Sequence, residues 1–68
     1  MDRIELNRIL NELVETVRTR LNLRALYAVS VVMHSDVAKS LERGLVPNPR
    51  VENLYEQLID EINGKFNS

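Results

Sequence analysis

The sequence predicts an all-α protein: a three-helix antiparallel bundle completed by dimerisation. Three observations carry that expectation. Apolar residues recur at helical spacing in three successive segments. No glycine or proline occurs before Gly44, so the first two thirds of the chain are free of strong breakers. The connections between segments are short, which makes neighbouring helices antiparallel. The helices are expected over about 2–21, 24–43 and 49–63, in a single helical domain covering 1–68.

In the first segment, Leu6, Leu10, Leu13, Val17 and Leu21 follow helical spacing, and Ile9 and Val14 widen the stripe. Asp2 and Glu5 lie at the positive end of the helix dipole, and Arg18 and Arg20 at the negative end. Asn22 is suited to end the helix in the left-handed conformation and to begin a tight turn. The alternative is one unbroken helix to Arg43, roughly 60 Å long at the usual rise. Its apolar faces would stay uncovered without another chain.

The second segment starts with "ALYAVSVVM", apolar nearly all round. Leu26, Val29, Met33, Val37 and Leu41 make one stripe, and Ala25, Ala28 and Val32 a second. A helix apolar on two sides is expected in the middle of an assembly. The β-branched Val29, Val31 and Val32 leave a strand over 25–33, paired with another chain, as the competing reading. Arg43 in the last turn, Gly44 as a left-handed cap and apolar Leu45 mark the end. The third segment is expected to start at Asn48 as N-cap and Pro49 as first helical residue. Val51, Leu54, Tyr55, Leu58, Ile59 and Ile62 form its stripe, and Asn63-Gly64 its end.

A chain of 68 residues buries only roughly 60% of the surface that its unfolded form exposes. It needs staples, unusually good packing or a partner chain. With no cysteine and one histidine, disulfides and a structural zinc site are not expected. Nine basic and ten acidic residues give a net charge of −1, which argues against a nucleic-acid partner. The apolar runs fall far short of the ~20 residues that span a bilayer, and "MDRIELNRIL" lacks a signal-peptide core. A soluble, cytoplasmic protein with no membrane partner is therefore expected.

The string His34-Ser35-Asp36 holds the single histidine. A catalytic triad needs three side chains converging on one point, and adjacent helical residues point about 100° apart. The string is therefore expected to be the boundary between a buried half-helix and a solvated one. His34 keeps a claim to phosphotransfer, with Lys39 or Arg43 to hold phosphate charge. Exposed carboxylates such as Glu12, Glu15, Glu56 and Asp60 have neither EF-hand spacing nor a Glu-x-x-His motif, so no metal or cofactor is expected. Arg18, Arg20 and Arg24 gather at the first turn and are candidates to contact an anion or an acidic partner. Tyr27, Val31, Val32, Tyr55 and Phe66 are the expected interface residues, because apolar and aromatic side chains concentrate in interface cores.

The stretch "AKSLERGLVPNPRVENLYEQLIDEINGKF" resembles the helix–loop–helix of the small aspartyl-phosphate phosphatases, whose second helix bears Ser-Gln-x-Leu-Asp. Tyr55, Glu56, Gln57, Leu58 and Ile59 stand at those positions. Tyr55 replaces the serine and Ile59 the acid, so the activity is not carried over. The expected function is that of a small non-enzymatic regulatory or adaptor protein acting through helix-mediated contact, as a homodimer and with a protein partner. The alternatives are a phosphotransfer or phosphatase-type signalling module using His34, and a nucleic-acid-binding helical dimer.

Overall fold

The computed structural model describes residues 2–67, and side chains over 2–64. The described residues form four helices and no strand: α1 (Arg3–Arg20), α2 (Ala25–Met33), α3 (Asp36–Glu42) and α4 (Val51–Asn67). The all-α class stands, and the strand reading of 25–33 does not. The expected single helix over 24–43 is two helices, α2 and α3, broken at His34-Ser35.

Geometry explains that break. Val32 and Leu41 are nine residues apart, which in an unbroken helix puts them about 180° apart, on opposite sides. Both are fully buried in the same core. The chain must turn between them, and Ser35 makes the turn. Its hydroxyl donates to the Val32 carbonyl and accepts from the Ala38 amide at 3.1 Å. Ser35 is thus the N-cap of α3, with extended backbone angles, and it is buried with its hydrogen bonds made. The Glu61 carboxylate of α4 adds a second tie, accepting the Asp36 amide at 3.0 and 3.2 Å.

The other boundaries follow capping chemistry. Asp2 accepts the Glu5 amide at 2.8 Å and caps α1. Asn22 takes a left-handed conformation (φ 53°), and the Leu23 amide donates to the Arg18 carbonyl at 2.9 Å. The continuous helix from 2 to 43 is therefore excluded. Gly44 (φ 70°) ends α3 in the same manner, with Gly44 donating to Leu41 and Leu45 to Ser40. Leu45 itself is exposed and does not fold back onto the core. Two expectations for α4 are corrected. Asn48 is left-handed (φ 48°) and Pro49 precedes the helix, which starts at Val51 with the Leu54 amide donating to the Arg50 carbonyl. The helix also runs through Gly64 to Asn67, since a glycine costs a helix only about 1 kcal/mol.

The core is one cluster. Ile9, Leu10, Leu13 and Val17 come from α1, Ala28 and Val32 from α2, Val37, Ala38 and Leu41 from α3, and Leu54 and Leu58 from α4. Full burial of one such aliphatic side chain contributes about 1.5–3 kcal/mol. Both α1 and α3 pack against the other three helices, whereas α2 packs against α1 and α3. Within the single chain the "ALYAVSVVM" helix lies at the edge and buries only Ala28 and Val32.

Candidate interaction surface

Placing α2 at the edge creates the most distinctive surface feature among the described residues. Ala28 and Val32 face inward at i, i+4 spacing. The opposite side carries Leu26 at 86% exposure, Tyr27 at 62%, and Val29 and Met33 at 42% each. Helical geometry puts Leu26 and Ser30 at the crest, with Val29 and Met33 on one flank and Tyr27 on the other. From Ala25 to Met33 the helix has no charged residue. At Met33 the face runs into a shallow groove against α1, lined also by Arg3, Leu6, Asn7, Leu10 and Glu42. A continuous apolar face with a charged rim is the usual mark of a docking surface.

The expected interface residues separate into distinct places. Tyr27 lies on this outer face and Val31 is half-buried on its margin. Val32 has no exposed surface, so it belongs to the core of this chain and not to an interface. Tyr55 is half-buried on α4, with the Arg20 guanidinium 4.9 Å above its ring. The Phe66 side chain lies outside the described residues. Leu26, the most exposed residue of the face, is not among the expected interface residues. The two α2 stripes in the sequence are equally apolar. What tells them apart is which one stays on the side of Val37 and Leu41 once the chain turns at Ser35.

Two of the three arginines are paired with carboxylates. Arg18 donates to Glu15 at 2.8 and 3.2 Å. Arg20 is bound to Glu52 and stacked on Tyr55, a cation–π contact that ties α1 to α4. The hydrogen bond from Arg20, and then its charge, hold the Glu52 carboxyl below its ordinary range. Arg18 does the same for Glu15. Arg24, the N-cap residue of α2, has no ion-pair partner among the described residues, and the same holds for the Asp36 carboxylate.

His34 is exposed and is the C-cap of α2. Its Nδ1 lies 2.9 Å from the Ser30 carbonyl oxygen. A carbonyl only accepts, so Nδ1 carries the proton and Nε2 keeps the lone pair in the neutral ring. His34, Ser35 and Asp36 do not converge. Ser35 is buried as a helix cap, while His34 bonds back to Ser30 and the Asp36 amide to Glu61.

Among the described residues no group of three or more His, Cys, Asp or Glu side chains is placed to hold a metal ion. No helix there is long and apolar enough to cross a membrane. Comparison with protein-family models, with curated proteins and with solved structures finds no match to this chain.

Proposed function

We propose that this chain is a small non-enzymatic regulatory or adaptor protein that works through helix-mediated protein–protein contact, with the outer face of α2 as its contact surface. One observation carries the reading: Leu26 and Tyr27 are largely solvated on a helix with no charged residue. Side chains so exposed contribute little to holding the chain together. Covering them gains roughly 25 cal/mol per Å² of apolar area removed from water. Arg24 and Asp36 at the ends of the helix, and Arg3 and Glu42 beside the groove, supply the charged rim that orients a partner.

A photo-crosslinking residue at position 27, compared with one at exposed Asn11 on α1, tests this in the cells that make the protein. Discrete adducts from position 27 and none from position 11 are expected. No adduct from position 27 overturns the reading.

A second reading rests on His34. The bond from Nδ1 to Ser30 fixes the tautomer in which Nε2 is the nucleophilic nitrogen of an exposed ring. In that reading Nε2 attacks the phosphorus of an acyl-phosphate donor. The new P–N bond replaces the donor's P–O bond, and the carboxylate leaves with the electron pair. Acid-labile phosphate on the chain that disappears in His34→Ala would establish it. An unlabelled wild-type chain with an acyl phosphate would end it.

A further inference from the structure

We infer that the occupant of the α2 face is a second copy of this chain, seated antiparallel across a twofold axis that passes between Val29 and Ser30. The inference rests on the α2 contact surface proposed above and names its partner.

A twofold axis brings a surface onto itself, so a formal charge close to the axis meets its own copy, while groups on opposite sides of it meet each other. The stretch from Ala25 to Met33 carries none, which suits self-pairing and gives a charged partner nothing to recognise. The charges stand at the two ends and are of opposite sign. Arg24 precedes α2, Asp36 follows it, and neither has an ion-pair partner among the described residues. Arg24 immediately precedes α2 and Asp36 lies just beyond its C-cap His34, so the two charges stand at opposite ends of the helix, one on each side of the axis. An antiparallel copy therefore sets Arg24 beside Asp36 of its mate at both ends. A parallel copy sets Arg24 against Arg24 and Asp36 against Asp36. The antiparallel register also places Leu26 over Met33 of the other copy, a long side chain on a flexible one, with the short Ser30 side chains at the crossing. One nine-residue helix covers less than the 1,200–2,000 Å² (approximately) of a standard interface, so the dimer is a dissociable one.

Sedimentation equilibrium from low micromolar to millimolar concentration tests the occupant. Concentration-dependent dimerisation of the wild type is expected, weakened about tenfold or more by Leu26→Glu and about threefold by Arg24→Ala. Leu26 is solvated, so the helical circular dichroism of Leu26→Glu should match the wild type. The chain has no cysteine, which permits an orientation test by oxidation. A mixture of Leu26→Cys and Met33→Cys chains should form a disulfide-linked mixed dimer, while each variant separately should form none. A dimer from Leu26→Cys by itself overturns the antiparallel arrangement. A wild type that stays monomeric to millimolar concentration overturns the second copy as occupant. Adducts to another protein from position 27 would then leave the contact surface standing, and no adduct there would remove both.

Discussion

The two halves of the second apolar segment, α2 and α3, differ in the opposite sense to their composition. The apolar half, "ALYAVSVVM", buries only Ala28 and Val32 in nine residues. The polar half, "DVAKSLE", contains Asp36, Lys39 and Glu42, yet buries Val37, Ala38 and Leu41 in seven. Burial follows the geometry of attachment and not the count of apolar letters. Between them, α1 and α4 hold α3, which caps its first turn with Ser35 and Glu61. Its apolar residues are thereby fixed against the core. At the margin, α2 lies on α1 and α3, and its surplus of apolar residues points outward.

The sharpest way to break this comparison is to truncate one leucine in each half. Leu41→Ala should cost about 2–5 kcal/mol by urea denaturation, the range for a fully buried leucine. Equal losses from Leu41→Ala and Leu26→Ala would show that the halves are not inverted. The next largest effect belongs to the break itself. Ser35→Ala removes both the cap on Ala38 and the bond to Val32 and should cost about 1–2 kcal/mol. An unchanged midpoint would show that Ser35 does not set the turn.

These two residues also show how far the fold could be read from the sequence. The stripes of α1 and α4 were legible because each helix has one dominant apolar face, and Leu13, Val17, Leu54 and Leu58 are buried as their spacing requires. Asn22 and Gly44 were legible as turns because a left-handed residue has a strong type preference. The break at Ser35 was not, because serine is an ordinary helix residue that makes a turn only when its hydroxyl finds an amide three residues on. Its trace was a change of stripe, from Ala28 and Val32 to Val37 and Leu41, half a turn around the helix. The same turn leaves Leu26 on the solvated side of α2. The pairing of Arg20 was illegible for a different reason: Glu52, a carboxylate distant in sequence, claims it in a way that spacing does not reveal.

Gly44→Ala probes the far end of α3. A Cβ there meets nothing within 4 Å, so the expected loss of about 1–2 kcal/mol comes from the left-handed backbone and not from a clash. Leu26→Ala on the solvated half should change stability by less than about 0.5 kcal/mol. That measurement belongs at a concentration where the chain is monomeric, so that association does not contribute.

The smallest effect is electrostatic. The Glu52 carboxyl is held low by Arg20, so its stabilisation is complete above the ordinary carboxylate range and fades as pH falls through the lowered value. The melting temperatures of the wild type and Glu52→Gln should therefore differ slightly at neutral pH and converge in acid. The gap should also shrink with added salt, because both side chains are solvated. A gap that widens in acid would contradict the pairing.

The tie between Glu61 and the Asp36 amide has a kinetic consequence. Within its own helix, the Asp36 amide occupies a first-turn position with no preceding turn to bond to, and such amides ordinarily exchange with solvent quickly. Here a carboxylate 25 positions further along the chain shields it. The deuterium uptake of Asp36 should therefore follow the detachment of α4 rather than the fraying of α3. A single backbone proton at the head of a seven-residue helix then serves as a clock for the opening of the C-terminal helix.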